Sequence, residues 1–164
     1  MTAYKSGDPT TINRLYGRSK GKPLRAGQQG LVDSLLPRIA MPAHGPITSQ
    51  VLFGDDRPLH FEIGFGGGEH MAARADMLPD HGFIGAEPFL NGVAQALVHV
   101  DGDGGKHPPL GNVRIHHGDA LEVLQALVGQ DDRQVFDFVY QVLGIGFALV
   151  VVVGELDDGA AMIE

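Results

Sequence analysis

The sequence predicts an α/β fold of Rossmann-like architecture, its sheet truncated after about the fourth or fifth strand. Three observations carry this. From Leu59 onward, short apolar runs alternate with longer segments of helical periodicity. The first run, LHFEIG, enters a turn with glycine at 64, 66, 67 and 68. An acid stands at or near the end of each of the first three runs: Glu62, Glu87 and Asp119. Strand, helix, strand, helix at this spacing gives parallel βαβ units. Ligands of such sheets sit over the carboxyl ends of the strands, near the first strand-to-helix turn.

The elements follow in order. Residues 1–48 form a basic N-terminal arm and a helix, in which Leu31, Leu35, Leu36 and Ile39 of GQQGLVDSLLPRIA fall at helical spacing. Pro42, Pro46 and GDDRP read as a linker. Residues 49–140 hold the ligand-binding domain. LHFEIG is its first strand, and a helix runs from the glycine turn to about Met77. GFIGAE is the second strand, and Phe89, Val93, Leu97 and Val100 share one face of the next helix. DGDGGKHPPLG is a loop, NVRIHHG the third strand, and ALEVLQALV a helix that aligns Leu121, Leu124 and Val128. QVFDFVY is the fourth strand, and residues 141–164 form an atypical tail.

At 164 residues the chain has the length of one domain with a sizeable core. It has no cysteine, which excludes disulfides and thiolate zinc sites. The first residues lack an apolar core of the secretory kind, and FALVVVV is too short to span a bilayer, so no membrane association and a cytoplasmic location are expected. The eight histidines show no metal-ligand spacing, and no metal is expected. The net charge is −8, but unevenly spread. Lys5, Arg14, Arg18, Lys20, Lys22 and Arg25 face only Asp8 in their segment, whereas no Lys or Arg follows Arg133. A basic arm on an acidic body can grip a polyanion locally. Composition alone favours the plainer reading, a solvated terminus.

The glycine turn narrows the ligand. In a dinucleotide fingerprint that starts at Gly64 and Gly66, the third glycine would fall at position 69, which is Glu69. A carboxylate there repels the pyrophosphate that a helix N-terminus attracts. No G-K-[ST] follows, so a P-loop fails as well, and a nucleotide-binding domain of another kind is disfavoured. Glu62 before the turn suits a cation. S-adenosylmethionine carries an ammonium and a sulfonium but no phosphate, and Gly64, Gly66 and Gly68 would let it approach the backbone. Glu87 could accept from both ribose hydroxyls, and Asp119 from an exocyclic amine. Each has a plainer reading: the glycines as tight packing, and the strand-end acids, Asp119 above all, as helix caps. Three acids on successive strand ends favour the cofactor.

RLYGRSKGKPLRAGQQ, FEIGFGGGEH, FIGAEPFLNGVA and GDALEVL together resemble the bacterial tRNA (guanine-N7-)-methyltransferase family, from about Arg14 to about Tyr140. The resemblance implies a class I, S-adenosylmethionine-dependent enzyme that methylates N7 of guanine in the tRNA variable loop, usually at position 46. It implies cofactor contacts at Glu62, Glu87 and Asp119, a turn shaped by Gly64, Gly66 and Gly68, and tRNA phosphate contacts in the basic segment, with Arg18, Lys20, Lys22 and Arg25 as substrate-binding candidates. Guanine N7 has a free lone pair, so alignment and exclusion of water would be the main demands on the enzyme.

The resemblance stops after the fourth strand. The family continues into a Pro-Asp-Pro-Trp segment and a basic cluster. Here VFDFVY runs into QVLGIGFALVVVVGELDDGAAMIE, and neither feature follows Tyr140. No catalytic residue is assigned, and Asp137 lies within the strand rather than at its end. The tail reads as a frameshifted or truncated product, or as a divergent one in which FALVVVV forms a fifth, buried strand. The expectation is a family member with a cofactor half and little or no methyl transfer. The alternative is a non-catalytic remnant that binds S-adenosylmethionine or RNA.

Overall fold

The computed structural model describes residues 21–45, 47–128, 149–153 and 162–163. Three parallel strands form its centre: β1 (Leu59–Ile63), β2 (Gly82–Ala86) and β3 (Val113–His116). The sheet order is β3-β2-β1-β4-β5, with β4 at Leu149–Val153 and β5 at Met162–Ile163. β1 pairs in parallel with β2, Glu62 opposite Gly85 and Ile63 opposite Ala86. β2 pairs in parallel with β3, Ala86 opposite His116.

The predicted strands and helices of residues 59–128 appear at their expected places. α4 (Glu69–Met77) links β1 to β2, α5 (Leu90–Val100) links β2 to β3, and α6 (Ala120–Val128) follows β3. The predicted fourth strand at residues 134–140, Asp137 and the basic residues through Lys20 lie outside the described residues. Part of FALVVVV does form a strand, but β4 runs antiparallel to β1, with Leu59 opposite Val153 and Ile63 opposite Leu149. An all-apolar strand carries no pattern that fixes its direction.

Alternation along the strands divides the core into two layers. Phe61, Ile63, Ile84 and Ala86 pack with Ile47, Leu52, Ala120, Val123 and Leu124 on one side of the sheet. Phe83, Val113 and Ile115 pack with Met71, Ala75, Val93, Leu97 and Val100 on the other. Phe61, Ile84, Leu97 and Ile115 are fully buried. Burial of each such side chain stabilises the fold by about 1.5–3 kcal/mol.

Two local expectations need correction. The single helix expected through Ile39 is two, α1 (Ala26–Ser34) and α2 (Leu36–Ile39). Pro37 lacks an N–H and crowds the carbonyl four residues earlier, so the helix restarts at Leu36. The expected linker contains α3 (Ser49–Phe53), capped at both ends. The Thr48 hydroxyl accepts from Val51 N at 3.2 Å, and Gly54 closes the helix at φ 83°. Leu31, Val32, Leu35 and Leu36 lean against the second core layer, which seats α1 and α2 on the same body.

At the amino ends of the strands, Asn112 ties α4 to the sheet. Its Nδ2 donates to the carbonyls of Ala75, Leu78 and His81 at 3.0–3.2 Å. Phe83 N in turn donates to Asn112 O at 2.8 Å. A cavity of about 410 Å³ opens at this end, lined by Arg57, Asp76, Pro79, Pro108 and Asn112. It lies across the sheet from the glycine turn.

Candidate functional site

At the carboxyl edge the turn after β1 begins while still paired, Gly64 N donating to Ala86 O at 2.8 Å. Gly64, Gly66 and Gly68 have φ of 66°, 58° and 79°. Side chains rarely adopt these values, so each position demands glycine. The three differ in surroundings. A Cβ on Gly64 or Gly66 would meet nothing within 4 Å, so their outer side is open to a ligand. A Cβ on Gly68 would lie 2.5 Å from the Ala96 side chain, so this glycine lets α4 and α5 pack closely. Gly92 does the same at the start of α5, where a Cβ would lie 2.4 Å from Gly66 O. Close packing thus accounts for Gly68 and Gly92 but not for Gly64 and Gly66.

Each predicted acid sits at this edge with a defined partner. The Glu62 side chain is 7% exposed, and its Oε2 lies 2.8 Å from His70 Nδ1. Glu87, 8% exposed, accepts from Gly66 N at 2.9 Å through Oε2 and from Phe89 N at 2.8 Å through Oε1. It ties the glycine turn to the entry of α5. Asp119 accepts from Leu121 N at 2.9 Å, the bond expected of a cap on α6. That bond uses one of its two oxygens.

The remaining predicted residues are only partly described. Lys22 and Arg25 are exposed and precede α1. Asn91 Nδ2 donates to Lys22 O at 2.8 Å, which brings the end of the basic segment to the N-terminus of α5, beside Glu87 and the turn. Arg18 and Lys20 fall outside the described residues. The sequence reading missed His70, Asn91 and His117, whose Nε2 lies 3.2 Å from Pro88 O and links the loops after β2 and β3. His70 was visible in FEIGFGGGEH as the second residue of the helix, but its partner is set by the turn and not by spacing.

The edge therefore offers acceptors around an open glycine turn, while its helix N-terminus is occupied by Glu69 in the first turn of α4. That arrangement suits a ligand with cationic and hydroxyl donors and opposes a phosphate. Among the described residues no group of His, Asp and Glu is arranged to hold a metal ion. No described helix is long and apolar enough to cross a membrane.

Comparison with known proteins identifies the family. Residues 56–140 match the family described as "Putative methyltransferase". A tRNA (guanine-N(7)-)-methyltransferase of Novosphingobium aromaticivorans is 83% identical over 127 residues, 77% of this chain and 53% of that protein. The namesake of Sphingopyxis alaskensis is also 83% identical over 127 residues, 77% of this chain and 54% of its own length. That of Zymomonas mobilis is 52% identical over 127 residues, with 77% and 53% covered. The chain spans about half the length of the curated relatives it matches.

Proposed function

The chain belongs to this methyltransferase family, and from that premise we propose that it supplies the methyl-donor half of a tRNA (guanine-N7-)-methyltransferase, with S-adenosylmethionine as donor. The observation that carries the reading is the convergence of Glu62, Glu87 and Asp119 on the carboxyl edge, around a turn whose Gly64 and Gly66 are open. The donor set fits: Glu62 would accept from the ammonium, Glu87 from the ribose hydroxyls, and Asp119 from the adenine amine. S-adenosylmethionine, when bound, supplies an electrophilic methyl group on its sulfonium.

The chain's own residues bind, orient and exclude water. Glu87 holds Gly66 against the entry of α5, so the seat keeps its shape before any ligand arrives. Guanine N7 presents a lone pair, so no residue is needed to remove a proton from it. Lys22 and Arg25, brought to the lip of the site by Asn91, would meet tRNA phosphates, with Arg18 and Lys20 preceding them. Such a protein works where tRNA is found, in the cytoplasm. The arm and helix of residues 1–48 would serve RNA and residues 49–140 the cofactor, with 141–164 as a tail outside the family pattern.

Binding without transfer is the second reading, favoured by the absence of Lys and Arg after Arg133. Calorimetric titration with S-adenosylmethionine tests the first half of the proposal, and saturable binding is expected. Incubation with unmodified tRNA and labelled donor tests the second, and this chain by itself is expected to transfer little label. A folded protein that binds no donor refutes the cofactor assignment, and efficient transfer refutes the reading of the tail.

A further inference from the structure

Glu62 is nearly buried, and a buried carboxylate without a partner is costly. Among the described residues its one ion-pair partner is His70. The two side chains are unequal. That of Glu62 is 7% exposed and fixed by its strand, whereas that of His70 is 59% exposed on the first turn of α4. His70 can therefore turn out into solvent with little loss of packing.

We propose that His70 is an internal counter-ion that covers Glu62 in the ligand-free site and competes with the cationic end of the incoming donor for that carboxylate. The proposal rests on the reading of Glu62 as the ammonium seat. An ammonium brings three donors to Glu62, whereas His70 brings one N–H at Nδ1. The ligand thus replaces His70 rather than adding to it, and His70 sets how readily the seat accepts a cation.

The sign follows from charge. The imidazolium competes as a full ion pair and the neutral ring only as an uncharged donor to the same carboxylate, so donor affinity rises as His70 loses its proton. The difference between the two bonds corresponds to about fivefold to tenfold in affinity. Among the described residues the other titratable groups at this edge are Lys22 and Arg25 before α1, Glu69 on α4, Glu87 after β2, His99 on α5, and His116, His117, Asp119 and Glu122 around the β3–α6 turn; the residues of β4 carry none. All of them are common to the wild type and a His70 variant, so they cancel in the comparison.

Titrations with S-adenosylmethionine at pH 5.5 and pH 7.5 test this on the full chain, with His70→Gln as the donor that carries no charge. The wild type is expected to lose about fivefold to tenfold more affinity at the lower pH than His70→Gln does. Retention of the full pH dependence in His70→Gln overturns the proposal. NMR of the His70 ring gives a second readout. Saturating donor is expected to move the ring signal toward that of the ligand-free Glu62→Gln variant, and a signal that stays in place while donor binds also overturns it. If the wild type binds no donor at either pH, the cofactor reading falls first and the proposal with it. Unchanged pH dependence with intact binding removes the proposal alone.

Discussion

Glu87 is the residue at which stability and ligand binding can be separated. Its two oxygens accept from Gly66 N and Phe89 N at 2.9 and 2.8 Å in a position 8% exposed. Hydrogen bonds to a charged group each contribute about 1.5–3 kcal/mol. Glu87→Ala removes both, but the site edge is open and water can reach part of what is released, so the lower part of the range applies. The expected loss is about 2–4 kcal/mol. Glu87→Gln keeps one oxygen and turns an amide donor toward the other N–H, for an expected loss of about 1–2 kcal/mol. Urea unfolding followed by circular dichroism reads both values, provided the denaturant slope stays constant. Stabilities of both variants within about 0.5 kcal/mol of the wild type would show that Glu87 does not brace the turn. Donor titration of Glu87→Gln, which should remain folded, then isolates its second role. A loss of at least about tenfold in affinity is expected if its oxygens also receive the ribose.

Gly66→Ala and Gly68→Ala should differ. The first meets open space and should cost only the left-handed backbone, about 1–2 kcal/mol, while weakening donor binding; the second also drives a Cβ to 2.5 Å from Ala96 and should cost about 2–4 kcal/mol. The reverse order in urea unfolding would contradict the division of the turn into ligand-facing and packing glycines. Asn112→Ala should lose about 2–3 kcal/mol and loosen the last turn of α4, visible as faster amide exchange near Ala75 to Leu78; unchanged exchange there would refute the tie. The hydrogen bond from His99 is the main reason that the Asp103 carboxyl is held below the ordinary carboxylate range. Its contribution is therefore present above that range and lost as pH falls through the lowered value. Stabilities of the wild type and Asp103→Asn should converge below about pH 4, and a gap that persists unchanged in acid would refute the pairing.

The sequence revealed most of what repeats. LHFEI, GFIGA and VRIH are apolar runs of strand length, and the helices that follow β2 and β3 show buried residues the spacing named in Val93, Leu97, Val100 and Leu124. Leu121 is only half-buried, whereas Val123, which the spacing did not name, is buried. α3 was hidden because five residues are too few to display a helical period, and its signal lay in the caps Thr48 and Gly54. The break at Leu35 was written in Pro37 but masked by leucines that keep helical spacing across it. In the site, acids at strand ends could be placed because strand length fixes where a strand ends. Their partners could not be. Glu62 finds His70 and Glu87 finds Gly66 only after the turn doubles back, and of three glycines of like backbone two face open space while the third meets Ala96.

The direction of β4 has a consequence for how a substrate could be held. A strand that runs with its neighbours delivers its outgoing loop to the edge where ligands lie, and each of β1, β2 and β3 does so here. β4 runs the other way, with Leu149 beside Ile63 at that edge and Val153 beside Leu59 at the far one. The rim of the crevice is consequently lopsided. On the side of β2 and β3 it is made by chain leaving strands, where the Glu87 and Asp119 carboxylates wait. On the side of β4 it is met by the first residue of the strand, Leu149 beside Ile63. The two sides of this edge are therefore set by strands of opposite direction, so they can change independently in evolution or by design.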